Sequence, residues 1–159
     1  MEFQFYNEIA VRDYECDFQG IVNNAVYLNY LEHTRHQLAK DAGLDVVDLA
    51  RRGVNVVVVR SEVDYVQSLR SGDVFIVGSD VERLSRLKFV FIQRIYRIPS
   101  KLATSENESI AAHNMSEICA RPNLIIKARM TATSVNEKGR PFLPPELDVL
   151  FKEADLEPG

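Results

Sequence analysis

The chain lacks the features that mark several classes of protein. It has only two cysteines in 159 residues, Cys16 and Cys119, and they are far apart in sequence. Two distant cysteines argue against a disulfide framework and fit a reducing compartment, so we expect a cytoplasmic protein. The histidines, cysteines and acidic residues do not occur at the spacing of metal ligands, so we predict no metal.

Long hydrophobic runs and an excess of positive charge are also missing. No apolar stretch approaches the roughly 20 residues of a membrane-spanning helix. The longest, Val54 to Val59, is the length of a strand and is interrupted by Asn55. The formal net charge is −4, which gives no general attraction to nucleic acid or to an anionic membrane. We therefore predict no nucleic-acid partner, no membrane and no signal peptide at the start of the chain.

The composition is that of an ordinary globular domain, with 46% hydrophobic and 26% charged residues. The length predicts one domain. Alternating apolar and polar residues predict strands over 3–12, 54–66, 73–83, 87–98 and 124–135. In the first of these strands, the pattern puts Phe3 on the same side as Phe5 and Ile9. The stretch between the last two strands is too long for an ordinary loop, and we expect a short helix in it near Ile110 to Ile118.

A helical period replaces the alternation between Asn24 and Ala42. Asn23 or Asn24 suits the cap at its start and Gly43 suits its end. Residues 45–53 predict a shorter second helix, and residues after 141 predict an extended piece followed by a short helix. The order is strand, long helix, short helix and four strands. It predicts an α+β fold in which one long helix packs on a five-stranded antiparallel sheet. Pairing edge to edge with a second copy would cover one exposed edge.

A lone acid and a glycine, Asp17 and Gly20, lie just before the long helix. A helix begins with backbone N–H groups that have no partner within the helix, and it carries a partial positive charge there. Those groups can polarise a carbonyl while a nearby carboxylate attacks it or activates a water molecule. This combination indicates acyl-transfer chemistry, and here the hydrolysis of a thioester.

The order of elements and residues 11–35 resemble the hotdog-fold acyl-CoA thioesterases of the 4-hydroxybenzoyl-CoA thioesterase type. The matching positions are Asp17, Gly20, Ile21, Val22, Asn23, Asn24 and Tyr27. The similarity continues through 59–65, 71–73 and 135–145. The resemblance implies a single hotdog domain over residues 1–159, with a five-stranded antiparallel sheet wrapped around one long helix. An inserted excursion at about 100–122 has no counterpart in it.

The resemblance also implies roles for individual residues. Asp17 would be the nucleophile or the general base, and the backbone N–H near Asn24 would polarise the thioester carbonyl. The substrate-binding residues would be Gly20, Val22, Asn23 and Tyr27, with Arg60 and Ser61 contributed by a partner chain. The active site would then lie between the subunits of a homodimer or homotetramer. The substrate would be an acyl-CoA, and the enzyme would need no cofactor beyond the coenzyme A of that substrate.

Several of these residues also suit plain structural roles. Asn23 and Asn24 fit a helix cap, and Tyr27 fits the core as well as an acyl pocket. Arg35 shares the apolar face of the long helix with Leu28 and other apolar residues, where it needs a partner, and Glu62 or Asp64 is a candidate. A separate group of basic residues brackets one tight turn and is either solvated or holds phosphates of coenzyme A. Its members are Arg83, Arg86 and Lys88.

Two other functions stay open at this point. Hotdog hydratases and dehydratases pair the acid with a histidine five residues later, and this chain has Val22 there instead. Some thioesterase relatives carry a histidine where this chain has Asn24, so its absence argues against a histidine-assisted mechanism. A non-catalytic domain that binds acyl thioesters is the other alternative. The sequence does not distinguish coenzyme A from an acyl carrier protein as the thiol carrier.

Overall fold

The structure, a computed structural model, describes residues 3–102 and 110–151. Within these ranges the strands are β1 (Phe5–Ala10), β2 (Asn55–Tyr65), β3 (Val74–Arg83), β4 (Phe89–Arg97) and β5 (Leu124–Val135). The α-helices are α1 (Asn24–Asp41), α2 (Val46–Arg51) and α3 (Ile110–Ile118). Short 3-10 helices cover Asp13–Glu15, Ser100–Leu102, Arg121–Asn123 and Pro145–Leu150. Each predicted strand and helix is confirmed, with ends that differ by a few residues.

The sheet is antiparallel throughout, and its strands lie in the order β1-β3-β4-β5-β2. Strand β2 therefore lies at one edge. Its pairing with β5 shifts between Val58 and Arg60, so Val59 is the extra residue of a bulge. Because side chains alternate along a strand, Ser61 faces the same side of the sheet as its buried neighbour Met130 on β5. Arg60 and Glu62 face the opposite side.

Helix α1 packs on the inner face of the sheet, over β1 and β3. Asn23 is its N-cap, and the side-chain oxygen accepts a hydrogen bond from the N–H of Ala25 at 3.0 Å. Gly43 follows the last turn with a φ of 83°, the left-handed conformation that ends many helices. The helix buries one side, formed by Tyr27, Tyr30, Leu31, Thr34, Leu38 and Ala39. Leu28 was predicted on this side but is 40% exposed, because α1 covers β1 and β3 and leaves the β2 side open.

Two apolar clusters lie on opposite faces of the sheet. The larger one joins α1 to the inner face and includes Phe75, Phe91 and Met130. The smaller one lies on the outer face and contains Phe3, Ile76 and other residues. The prediction that Phe3 lies with Phe5 is wrong: Phe3 precedes β1, and its ring packs over Gly78, where a Cβ atom would collide with it. Phe5 and Ile9 contact the inner core as predicted.

Helix α3, in the excursion between β4 and β5, packs on the outer face of the sheet. Ile118 of α3 is fully buried there, in the same cluster as Tyr96 and Ile98. The tail packs on the inner core: Leu147 and Leu150 of the last 3-10 helix are buried in the larger cluster. Among the described residues, no helix is both long enough and apolar enough to cross a membrane. The extent of one domain over 1–159 stays a prediction.

Candidate active site

The segment before α1 is a small hairpin that carries Asp17. Cys16 pairs with Val22 across it, and the N–H of Asp17 donates to the carbonyl of Ile21 at 2.9 Å. The tip is a turn in which the Gly20 N–H donates to the Asp17 carbonyl at 3.0 Å. Gly20 has a φ of 80°, so this loop needs the backbone freedom of glycine.

Asp17 is a half-buried residue at the start of the turn that forms the tip of this hairpin. Its Oδ1 accepts a hydrogen bond from the N–H of Gln19 at 2.8 Å. The second carboxylate oxygen has no hydrogen-bond partner in the described ranges and is therefore available to a ligand or a water molecule. Phe18, the next residue, is 97% exposed. The hairpin therefore presents an apolar ring to solvent next to the carboxylate.

The start of α1 offers a free donor next to this hairpin. The Asn23 side chain caps Ala25, and the Asn23 carbonyl accepts from the N–H of Val26 at 2.9 Å. The backbone N–H of Asn24 has no partner among the residues that the structure describes, and Asn24 is exposed. This N–H, at the positive end of the helix, is chemically suited to bind an oxyanion. Asn23 is thus occupied as a cap, which is the structural role considered for it.

Val22 of the hairpin and Tyr27 of α1 are core residues, each 2% exposed. The N–H of Val22 donates to the carbonyl of Leu69, and the N–H of Leu69 donates to the Tyr27 hydroxyl, both at 2.9 Å. Burial raises the pKa of Tyr27. The ring of Tyr27 also contacts Tyr65 on β2, with centroids 5.9 Å apart. These contacts hold the hairpin, α1 and the end of β2 together. The sequence did not predict the hydrogen bond between the Leu69 N–H and the Tyr27 hydroxyl.

The side chains of Arg60 and Ser61 lie on opposite faces of the sheet. Ser61 lies on the inner face of β2, the side that α1 leaves open, and it is exposed. Arg60 lies on the outer face, where its Nη2 is 3.1 Å from a carboxylate oxygen of Glu62. The structure therefore brings Ser61, and not Arg60, to the same side of the sheet as α1. Their predicted contribution from a partner chain stays a prediction.

The prediction that Arg35 pairs with Glu62 or Asp64 is wrong. Glu62 and Asp64 lie on the outer face of the sheet, and Glu62 pairs with Arg60 and Arg129. Arg35 instead donates from Nη1 to the side-chain oxygen of Gln93 at 3.1 Å, and its guanidinium lies 5.7 Å from the ring centre of Phe91. The prediction fails because the Arg35 side chain points from α1 toward β4, away from Glu62 and Asp64.

In the basic turn of Arg83, Arg86 and Lys88, the Arg83 side chain is engaged in contacts within the protein. Arg83 donates to the carbonyls of Ser85 and Arg86, and its guanidinium is 3.5 Å from the carboxylate of Asp148. These contacts leave little of Arg83 for a phosphate. A different cation, Arg70, lies closer to the candidate site, with its guanidinium beside Gly20. The bridge between Ile21 and Arg70 brings it there, and no local sequence signal predicts that long-range pairing.

No cluster of three or more histidine, cysteine or acidic side chains suited to a metal ion occurs in the described part of the chain. Cys16 and Cys119 are free thiols. The prediction of no metal and no cofactor stays a prediction. The described residues place one carboxylate, the Asn24 N–H and the Arg70 guanidinium around the hairpin.

Comparison with known proteins adds a family to this geometry. Residues 11–145 match the family described as the thioesterase-like superfamily. An acyl-acyl carrier protein thioesterase of Arabidopsis thaliana chloroplasts is 36% identical over 104 residues, which are 65% of this chain and 55% of that protein. A second such Arabidopsis protein is matched over 50% of its length. The chain thus spans about half the length of these relatives.

Solved structures share the fold. A 1,4-dihydroxy-2-naphthoyl-CoA thioesterase from Synechocystis superposes with a TM-score of 0.75 at 16% identity, over 95% of this chain and 97% of that one. A hypothetical protein from Staphylococcus aureus, solved in complex with CoA, gives a TM-score of 0.70 at 14% identity, over 94% and 83%. At these identities the likeness supports the fold alone, and the five-stranded hotdog architecture predicted from the sequence is confirmed.

Proposed function

The chain belongs to the thioesterase-like superfamily, and on that premise we propose that it hydrolyses acyl thioesters to a free acid and a thiol. The observation that carries the proposal is the pairing of Asp17 with the start of α1. One hairpin carries Asp17, a half-buried residue, immediately before a helix whose Asn24 N–H is unpaired in the described part of the chain. A carboxylate and an oxyanion donor are the two groups that this reaction needs.

The reaction follows from these two groups. The N–H of Asn24 donates to the thioester carbonyl oxygen and stabilises the negative charge that develops on it. Asp17 either attacks the carbonyl carbon directly, or takes a proton from a water molecule that attacks it. In both routes the carbon–sulfur bond breaks and a thiolate leaves; it takes the proton held by Asp17 in the water route and a proton from solvent in the direct route. In the direct route, water then hydrolyses the mixed anhydride and frees Asp17.

A homodimer or homotetramer completes the site in this proposal. Strand β2 is a sheet edge, and Val59 on it is 51% exposed. Ser61 and Tyr65 face the side of the sheet that α1 leaves open, where Tyr65 is 47% exposed. Antiparallel pairing of β2 with its copy would satisfy the free backbone groups of both edges. The partner's β2 would then bring a second set of such residues towards Asp17.

Coenzyme A is the proposed thiol carrier. The structural relative solved in complex with CoA supports this choice, and Arg70 beside Gly20 is a cation available to a phosphate. Acyl carrier protein is the second candidate, because the Arabidopsis relatives are named for thioesters of that carrier. The net charge of −4 disfavours an acidic carrier protein. A cytoplasmic location is kept as part of the proposal.

The test is thiol release from short, long and aromatic acyl-CoAs, run beside the same acyl groups on acyl carrier protein. We expect turnover on at least one acyl-CoA, at a higher kcat/KM than on the matched carrier-protein thioester. The reverse preference would replace coenzyme A with the carrier protein. If neither set is hydrolysed while thioesters still bind, the chain is a non-catalytic binding domain and the proposed activity is wrong.

A further inference from the structure

A cavity of about 350 Å³ lies under the second half of α1. Its walls are mostly apolar and include Ala39, Leu44, Val56, Val58, Phe91 and Leu150. Glu32, Arg35 and His36 of α1 supply its polar side. The volume falls in the range of small-ligand pockets, which begins at roughly 300 Å³. Residues of α2, of β2 and of the tail form the rest of its wall. A cavity of this shape suits the end of a small ligand better than the surface of a second protein.

Arg35 is the unusual group in this cavity, because it is a half-buried cation with no carboxylate within ion-pair distance in the described ranges. Its one hydrogen bond goes to the neutral side chain of Gln93, at 3.1 Å. The nearest acid on α1, Glu32, is 3.9 Å from His36 and acts on Arg35 only from beyond ion-pair distance. Burial lowers the pKa of Arg35. A guanidinium has five N–H donors, so most of those on Arg35 are available to a ligand oxygen.

The cavity lies in line with the candidate active site. Asn24, Leu28, Arg35 and Ala39 recur at helical spacing and share one side of α1. On the sheet, β2 runs alongside: Tyr65 contacts Tyr27 near the start of α1, and Val58 lines the cavity near Arg35. The Asn24 N–H and Arg35 therefore lie on the same side of α1, about three turns apart, and β2 runs alongside both.

We propose that this cavity receives the far end of the acyl group, and that Arg35 hydrogen bonds an oxygen atom carried there. The inference rests on the proposed thioester hydrolysis and names its substrate class: acyl groups with a carboxylate or hydroxyl at the end remote from the thioester. A carboxylate fits best, because it can accept two parallel bonds from a guanidinium. A plain methyl end would cover the cation without giving it an acceptor.

The helix sets the length of this acyl group. Arg35 is eleven residues beyond Asn24, and a helix rises 1.5 Å per residue, which gives roughly 16 Å. An extended chain advances about 1.2 Å per bond, since a residue of three bonds spans about 3.5 Å. The distance therefore corresponds to roughly 13 bonds, a chain of about 12 to 14 carbons.

The experiment compares three thioesters of one chain length: dodecanoyl-CoA, 12-hydroxydodecanoyl-CoA and the mono-CoA thioester of dodecanedioic acid. Each is tested on wild type and on Arg35→Met, which keeps the length of the side chain and removes its charge. Lys127→Met is the matched control, because Lys127 is an exposed cation on the outer face of the sheet. Val58→Phe is a second variant that fills the cavity and leaves Arg35 intact.

We expect wild type and Lys127→Met to favour the carboxylated thioester over the plain one by about tenfold or more in kcat/KM, the worth of a charged hydrogen bond. Arg35→Met should lose that preference. Val58→Phe should slow all three thioesters and spare octanoyl-CoA, which is too short to reach the cavity. A wild type without the preference, or an Arg35→Met that keeps it, would overturn the proposal.

Calorimetric binding of free dodecanedioic and dodecanoic acids separates this inference from the proposed function. If no thioester is hydrolysed but dodecanedioic acid binds wild type more tightly than dodecanoic acid, and Arg35→Met abolishes the difference, the cavity proposal stands and the hydrolysis proposal fails. If hydrolysis proceeds and neither acid binds with a dependence on Arg35, the cavity proposal fails alone. That second result is also expected if a second copy of the chain fills the cavity.

Discussion

Replacing Tyr27 with phenylalanine tests how the candidate site is held together. The change removes the hydroxyl that accepts the Leu69 N–H at 2.9 Å, and Leu69 is fully buried. A buried N–H left without a partner costs about 1–3 kcal/mol. In a domain of this size, each kcal/mol lowers Tm by about 2–4 °C. We therefore expect Tyr27→Phe to lose about 1–3 kcal/mol in free energy of unfolding and to melt several degrees lower.

The assay is urea unfolding followed by circular dichroism, with amide hydrogen exchange at Leu69 as a local readout. Tyr65→Phe is the matched control: Tyr65 contacts the same ring but is 47% exposed, and its hydroxyl has no hydrogen bond in the described part of the chain. Exchange at Leu69 should quicken in Tyr27→Phe alone. If the two variants are equally stable and Leu69 stays protected in both, the bond does not anchor the site.

Three further substitutions test other parts of the account. Gly20→Ala should lower the free energy of unfolding in urea by about 1–2 kcal/mol, because a φ of 80° is strained for alanine. An unchanged midpoint would show that the hairpin does not need glycine. Asn23→Ala should lose about 1 kcal/mol and Asn23→Asp almost none, since aspartate caps equally well; equal losses would refute the cap. Val59→Lys should convert an assembly into monomers in light scattering, because it puts a charge on the β2 edge; an unchanged mass would exclude that edge as the interface.

The elements of the fold were largely predictable because their signals are local. The bounds of α1 followed from Asn23 and Gly43, which act within one turn of the helix. The alternation over 124–135 predicted β5, and a short helix was predicted at 110–118 where α3 lies. Each of these signals depends on residues a few positions apart.

The errors came from contacts between distant residues. Leu28 has the polarity of a core residue, but α1 does not cover the β2 side of the sheet. Arg35 was assigned an acidic partner because buried cations usually have one, whereas the helix aims it at Gln93. At the candidate site, Asp17 and Gly20 were recognisable from the motif. The contacts of Leu69 and Arg70 depend on pairing across more than forty residues, for which one sequence holds no signal.

The most direct test of the central claim is kcat/KM for the preferred acyl-CoA, measured side by side on wild type, Asp17→Asn and Asp13→Asn. Asparagine keeps an oxygen that can accept the Gln19 N–H, so the hairpin should survive in Asp17→Asn. Asp13 is the control, an exposed acid nearby whose carboxylate contacts the Ser71 hydroxyl. The account predicts a loss of about a hundredfold or more in Asp17→Asn and little change in Asp13→Asn. Wild-type activity in a folded Asp17→Asn would contradict it.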